Sequence, residues 1–408
     1  KKRKQGGEKN VEARNLTTAQ EALEAAKIST IAFVGSMDPE KAAAQAEKEL
    51  RESEGSEEFW GAFDENGVMT SHMINNIYHI LFDGHIVLCG GVGNVSSLPE
   101  YRRKGGIRAI FAEKFADMRK RGFVFSALYP FSHEYYRKFG YELCYCPMRQ
   151  TIRTADLVGY DCPYGVRMHK EGECIQPFKD VYQRFILGKN MAIVRSERQW
   201  DWISGDPYKE KVYRYLLSDE TGAHAYIVFK PEGDGDGRKA VVRDLAYDSR
   251  EALYGLLGFL YRLGAQYAFI SGVFPDEIDF RTLVTEPYHV AQEVVFHGMF
   301  RVMDVERALA LVRHPQGCGR YVLKTADAFL PENDGTYAVE YENGAAVLVQ
   351  RTEEAPDLEV DVTTLAQLMM GYADLKTLAM RKDVTIHGNR ETLSAVFTRK
   401  ERYFSDYF

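Results

Sequence analysis

Apolar positions along the chain change their period several times. In TTAQEALEAAKISTIAF they recur three and four residues apart, the spacing of one helix face, and Thr17 or Thr18 stands where a cap is needed. PEKAAAQAEKELRES predicts a second helix, polar on one face. EFWGAFDENGVMTSHMINNIYHILFDGHIVLCGGVGNV then alternates in short runs broken by ENG and DG, the pattern of antiparallel strands joined by hairpin turns. A helix opens near Gly105, followed by the strand FVFSALYP, the helix SHEYYRKFG and the strand YELCYCPMRQTIR.

From about Tyr164 to His297 the style repeats more loosely. FKDVYQRFILG reads as a helix, YRYLLSD, AHAYIVFKP and AVVRDLAYD as strands, SREALYGLLGFLYRLGA as a long helix and YAFISGVF as a strand. NVSSLPEYRRKGGIRAIFAEKFADMRKRGFVFSALYPF and RDLAYDSREALYGLLGFLYRLGAQYAFISGVFP both run strand, turn, helix, strand, but the second has no RRKGG in its turn. This predicts a duplicated domain whose second copy lacks the first one's turn chemistry. The last block opens on the helix RVMDVERALALV. It continues through the strands YVLKTAD, GTYAVEYENG and AAVLVQRT, and then LEVDVTTLAQLMMGY, with Asp361 or Thr363 as cap. More helix is expected in DLKTLAMRKDVTI and NRETLSAVFTRKERYF, where Leu393, Val396 and Phe397 share a face and would dock the chain's end. The fold class expected is α/β (α+β), organised as a loose basic tail over 1–12, two tandem mixed-sheet domains over 13–155 and 156–299, and an α+β domain over 300–408.

Composition narrows the function. With 408 residues, 45% hydrophobic and 27% charged, the chain is of ordinary globular type. A net charge of −7 argues against a general nucleic-acid binder, which needs a basic face, and suits a cationic substrate. The six cysteines form no CxxC pair and no histidines cluster at ligand spacing, so no metal site is expected. Buried, reduced thiols and the lack of a signal-peptide pattern predict a cytoplasmic protein. No apolar run reaches the roughly 18 residues of a membrane helix, so no membrane partner is expected.

The strongest chemical signal is YRRKGGIRAIF. Arg102, Arg103, Lys104, Gly105, Gly106 and Ile107 form a cationic turn opening straight into a helix. Free N–H groups at a helix start, two glycines that let an anion approach the backbone, and three cationic side chains together make a phosphate site. Taken alone, the string also fits a solvated charged turn. Gly90, Gly91 and Gly93 in GGVGNVS lack the third glycine and the downstream acid of a dinucleotide fingerprint, so a Rossmann reading fails.

GGVGNVSSLPEYRRKGGIRAIF, followed by ALYPFSHEYYRKFGYE, resembles the GNAT superfamily of acetyl-CoA-dependent N-acetyltransferases. Together with RVMDVERAL and an aromatic end, the string is similar to the enhanced intracellular survival (Eis) acetyltransferase family. That resemblance implies an active N-terminal GNAT domain, a degenerate second one and a C-terminal domain like sterol carrier proteins, with acetyl-CoA as cosubstrate. It also implies a homo-oligomer, a hexamer by family precedent.

By motif position, the backbone of Asn94 and Val95, with Ser97 beside them, would meet the acetyl and pantetheine part, and Arg102 to Ile107 would hold the pyrophosphate. Tyr136 stands where the family has the general acid for the departing thiolate. The Phe408 α-carboxylate stands where the family has the terminal carboxylate that deprotonates the substrate ammonium. Tyr403, Phe404 and Tyr407 are expected to surround that carboxylate. Tyr136 and Tyr129 also fit plain core packing, and Tyr135 fits core or cofactor wall. Met369, Met370 and His387 read as core and surface. Acceptor contacts are expected from Asp38, Asp406 and Tyr407, although the family's acidic positions hold Gly35 and Tyr407 here. The function expected is acetyl transfer to a primary amine, aminoglycoside or polyamine-like, by direct attack in a ternary complex. The competing expectation is a non-enzymatic binder of a small molecule or lipid on the same scaffold.

Overall fold

Local chemistry sets the first elements. In the computed structural model the Thr18 hydroxyl accepts from the Glu21 N–H at 3.2 Å and the Glu21 carboxylate accepts from the Thr18 N–H at 3.1 Å. This reciprocal cap starts α1 (Ala19–Ala32). The structure describes residues 11–33, 35, 38, 41, 44, 48, 50, 51 and 56–406. The helix expected in PEKAAAQAEKELRES falls largely outside them. No helix among the described residues is long and apolar enough to cross a membrane.

β1 (Glu12–Asn15), β2 (Glu57–Phe63), β3 (Met69–Phe82), β4 (His85–Ser97), β5 (Phe125–Leu128) and β6 (Glu142–Tyr145) lie in the first sheet. The DG turn works as its composition dictates, with Asp83 at φ 49° and Gly84 at φ 91°. α2 (Gly106–Lys120) and α3 (His133–Arg137) connect the later strands. Ile110, Phe111, Phe115 and Met118 of α2 are fully buried in the core of this sheet.

YELCYCPMRQTIR, expected as one strand, is two. Pro147 offers no N–H to a ladder, and on its far side β7 (Met148–Arg153) joins the second sheet. There it lies with β8 (Gly165–Met168), β9 (Tyr213–Asp219), β10 (Gly222–Glu232), β11 (Lys239–Tyr247), β12 (Phe269–Phe274) and β13 (Ala291–Val294), in the order β13-β7-β12-β11-β10-β9-β8. α4 (Gln176–Ile186) and α5 (Arg250–Arg262) belong to this part, and α5 is capped by Ser249. β14 (Gly298–Val302) returns to the first sheet, whose order is β1-β2-β3-β4-β5-β14-β6.

The third sheet has the order β17-β16-β15-β18-β19, from β15 (Cys318–Ala326), β16 (Gly335–Glu342), β17 (Ala345–Arg351), β18 (Leu358–Asp361) and β19 (Thr385–Ile386). α6 (Val305–Leu311), α7 (Val362–Met369), α8 (Leu375–Leu378) and α9 (Arg390–Val396) accompany it. Asp361, not Thr363, caps α7, accepting from Thr363 N–H at 2.8 Å and Thr364 N–H at 3.1 Å. α9 buries Leu393 and Val396 but ends at Val396, so the helix expected to run on through ERYF stops short.

Two compact units result. One holds the chain up to Cys144, Gly298–Arg399 and the chain from Asp406; the other holds Tyr145–His297 and Lys400–Ser405. In the first, Arg301 of β14 and Asp327, both fully buried, pair at 2.5 Å, and Asp327 also accepts from Phe329 N–H, Leu330 N–H and Asn333 Nδ2.

Candidate active site

The site in the first unit begins where two parallel strands part. β4 and β5 pair from Cys89 with Phe125 to Val92 with Leu128, but β4 runs on to Ser97 while β5 ends. On its other edge β4 carries an extra residue: Ile74 faces Gly93, yet His72 faces Ser96. Asn94 takes a left-handed φ of 54° in that bulge. A bulge takes backbone groups out of the ladder, and here they border the gap between the strands.

The RRKGG turn enters α2 with Arg103 at φ 63° and Gly105 at φ 92°, the latter as N-cap. No side chain caps this helix, so its first N–H groups are open to an anion. Gly106 is small for a different reason. A Cβ there would lie 2.5 Å from Ser71 Oγ, which is itself 2.7 Å from Ser97 Oγ. The glycine lets the helix start press against β3 beside the bulge.

A cavity of about 760 Å³ joins these features. Val95, Ser97, Arg102, Arg103, Gly105, Gly106 and Ile107 line it, as do Ala32 and Phe33 at the end of α1, Ser96, Tyr101, Arg108, and Phe131, Tyr135, Lys138 and Phe139 around α3. Asn94 is exposed next to Val95, and the Lys104 ammonium sits 4.5 Å from the Tyr101 ring centroid; neither lines the cavity. The lining carries four cationic side chains and no carboxylate among the described residues. The cationic side chains suit polyanionic phosphate, and Phe33, Phe131 and Phe139 suit an apolar or ring-bearing group.

α3 is built by its cap, Tyr135 N–H donating to Ser132 Oγ at 3.3 Å. Its Tyr136 is 3% exposed, ringed by Phe131, Tyr135 and Tyr141 at 5.2 to 6.3 Å. Burial first, then the neighbouring Tyr135 and Tyr141, push its phenol well above the ordinary tyrosine value, so it is protonated at any physiological pH. Tyr136 does not itself line the cavity, but Phe131, Tyr135 and Phe139 beside it do. Below it, the Tyr141 and Ser126 hydroxyls lie 2.6 Å apart and Ser126 donates to the Gly90 carbonyl at 2.8 Å, tying this corner to β4. Arg137 fixes the other side by donating twice to Glu142, at 2.9 and 2.7 Å.

No cysteine lines the cavity, and Cys89 is fully buried with its thiol pushed far up by desolvation, which leaves it a poor nucleophile. Tyr129, one residue past β5, donates its hydroxyl to the Asp406 carbonyl at 2.9 Å. Tyr407 and Phe408 lie outside the described residues. Tyr403 and Phe404 are buried in the second unit, where Tyr403 donates to Asp244 at 3.2 Å and Phe404 meets Tyr145 edge-on. Asp38 is exposed, with Lys41 N–H donating to it at 3.3 Å. Met369 and Met370 are fully buried, and His387 is a surface residue 3.0 Å from Glu359.

Several lining residues had no place in the sequence-based site. Arg108 stands three residues after Gly105 on the same helix start, so extending the RRKGG motif by helical spacing would have found it. Phe33, Lys138 and Phe139 carried no such signal, since only packing brings α1 and α3 to one cavity.

The acetyltransferase (GNAT) domain family matches residues 12–144, a second acetyltransferase (GNAT) domain family matches residues 191–302, and the sterol carrier protein domain family matches residues 305–405. No curated protein matches the chain. Among solved structures, a probable N-acyltransferase from Enterococcus faecalis is similar at 22% identity and a TM-score of 0.86, covering 98% of this chain and 100% of that one. A GCN5-related N-acetyltransferase from Anabaena variabilis has 20% identity and a TM-score of 0.84, covering 97% and 100%. Eis1 from Mycobacterium abscessus has 21% identity and a TM-score of 0.80, covering 98% and 100%. GNAT domains use acetyl-CoA as cosubstrate, and the arginines, glycines and open helix start of this cavity fit such a ligand. With two acetyltransferase (GNAT) domains followed by a sterol carrier protein domain, the chain is a GNAT N-acetyltransferase whose fold is similar to that of Eis1.

Proposed function

We propose that the protein moves acetyl from acetyl-CoA to a primary amine by direct attack within a ternary complex. The observation that carries this reading is a single cavity that brings the β4 bulge, the uncapped start of α2 and the aromatic wall of α3 together. Arg102, Arg103, Arg108 and the first N–H groups of α2 would hold the diphosphate, and the backbone at Asn94 and Val95 would meet the acetyl group and steady the oxyanion.

An amine must lose a proton before it attacks. The carboxylate of Phe408, where the chain ends there, would receive that proton directly or through a water. Its support is Asp406, two residues upstream, whose carbonyl Tyr129 holds just past β5. The amine nitrogen then adds to the thioester carbon, the C–S bond breaks, the Tyr136 phenol gives its proton to the leaving sulfur, and the nitrogen sheds its second proton to solvent as the phenol regains one. Desolvation keeps the phenol protonated, and the same desolvation would favour proton uptake by a thiolate leaving beside it. Asp38, Asp406 and Tyr407 are proposed acceptor contacts. A polyamine-like or aminoglycoside acceptor and a hexameric assembly are carried by the family resemblance, and a cytoplasmic location by the free thiols.

An amine panel with acetyl-CoA, following CoA release, tests the reading. Tyr136→Phe should lower kcat about 10²-fold or more at unchanged acetyl-CoA affinity. One residue added after Phe408 should abolish turnover; full activity in that protein removes the carboxylate from the mechanism. Failure of the wild type to bind acetyl-CoA removes the enzyme reading.

A further inference from the structure

Of the three arginines that line the cavity of the first unit, one is held in place. Arg102 and Arg103 are exposed, and among the described residues no carboxylate pairs with either and no ring lies against them. Arg108, in the first turn of α2, is also exposed and also unpaired by any described carboxylate, but its guanidinium carbon lies 4.9 Å from the centre of the Phe329 ring. That ring comes from far along the chain. Phe329 belongs to the segment between β15 and β16, within the residues that match the sterol carrier protein domain, and it does not line the cavity itself. It stands edge-on to Phe139, a second lining residue, at 5.2 Å, and to Phe115 of α2 at 5.5 Å.

The mount of this ring is rigid, and Asp327 is the reason. Its carboxylate accepts from Phe329 N–H at 3.1 Å, from Leu330 N–H at 3.0 Å and from Asn333 Nδ2 at 3.0 Å, and it pairs with the fully buried Arg301 at 2.5 Å. Arg301 in turn donates to the carbonyl of Phe139. The backbone at Phe329 cannot shift without breaking the hydrogen bonds of a buried ion pair, so the ring keeps its place against Arg108 and Phe139. An exposed arginine ordinarily samples many rotamers and gives up that freedom when it grips a phosphate. A ring against the guanidinium confines it beforehand and leaves its N–H groups free to donate.

We propose that the sterol carrier protein domain supplies a positioning residue to the cosubstrate site of the first GNAT domain: Phe329 holds the Arg108 guanidinium ready for the phosphates of acetyl-CoA. The proposal rests on the function proposed above and adds a dependence that the cavity lining does not reveal. Affinity for the cosubstrate is set in part by a domain that contributes no lining residue among those described. Arg108 would touch the ligand, and Phe329 acts only through Arg108.

Titration of the full-length protein with acetyl-CoA tests this in a cycle of wild type, Phe329→Leu, Arg108→Ala and the double variant. Phe329→Leu should weaken binding about threefold to tenfold, whereas Phe329→Tyr, which keeps the ring, should stay within about twofold of the wild type. In the Arg108→Ala background the Phe329→Leu change should cost nothing further, because no guanidinium is left to position. A merely structural role for Phe329 would move affinity alike in both backgrounds. Unchanged affinity in Phe329→Leu, or an equal loss in both backgrounds, overturns the proposal. Where Phe329→Leu does not fold, Phe329→Met carries the same cycle, and an Arg108→Ala protein that binds as tightly as the wild type overturns the proposal whatever Phe329 does. If the wild type binds no acetyl-CoA, the acetyltransferase reading fails and this one with it. A wild type that binds without the coupling removes this inference alone.

Discussion

Gly105 and Gly106 are neighbours at the start of α2, and Ala at either should destabilise the first unit for unrelated reasons. At Gly106 the new Cβ would lie 2.5 Å from Ser71 Oγ and 3.1 Å from Ser71 Cβ. Ser71 is 1% exposed, and its hydroxyl can swing clear only by giving up Ser97, a loss of about 1 kcal/mol. The Cβ contact then still pushes helix and strand apart, an overpacking cost of about 1–3 kcal/mol, against about 0.5–1 kcal/mol gained from the better helix former. The net expectation is a loss of about 1–3.5 kcal/mol. At Gly105 nothing lies within 4 Å of the added atom, so the whole cost is the left-handed backbone at φ 92°, about 1–2 kcal/mol. Overlapping totals with different origins separate in a second-site experiment. Ser71→Gly should restore most of the stability of Gly106→Ala and none of that of Gly105→Ala. Calorimetric melting reads the stability, and titration of acetyl-CoA should show about tenfold weaker binding wherever the helix start has moved. Two single variants that melt and bind as the wild type does, or a Ser71→Gly change that rescues both alike, would refute these origins.

Three further outcomes are expected from charged and titratable side chains. Arg102→Ala and Arg103→Ala should each weaken CoA binding several-fold to about tenfold, with a loss that shrinks at high salt, measured by titration at two ionic strengths. Asp327→Ala strands the fully buried Arg301 and should cost about 3–5 kcal/mol in denaturant unfolding, with a smaller loss when Arg301 is replaced at the same time. Desolvation holds the His72 imidazole at about 4, below the ordinary 6.5. Between those values the unfolded chain binds a proton that the native state refuses, so stability declines as the pH falls from about 6.5 to about 4 and levels off below, by about 3 kcal/mol in all. Unfolding at pH 7 and at pH 4.5 should show this decline in the wild type and a correspondingly smaller one in His72→Gln; an identical decline in both would exclude His72 as its source.

The features legible in residues alone were local or repetitive. A threonine followed three residues later by glutamate caps α1 because the two hydrogen bonds are reciprocal within one turn. DG makes the turn at Asp83–Gly84 because few other pairs accept positive φ, and RRKGG supplies the left-handed Gly105 that opens α2 without a side-chain cap. The duplicated strand-turn-helix-strand order was legible for the same reason, since each repeat carries its own periodicity. Long-range partnership was not. Nothing in the residue pattern signals that β7 leaves the first sheet and β14 enters it, because a strand's pattern records which face is buried and not which neighbour it pairs with. Nor did it show that Phe33 and Lys138 would share a cavity, or that ERYF would be an extended segment and not a helix end. Tyr403 makes the difference concrete. Its spacing suited a helix and its aromaticity suited a carboxylate's surroundings, but a buried Asp244 offered its hydroxyl a charged acceptor, and a contact of that strength between residues so distant in sequence exists only once the chain has folded.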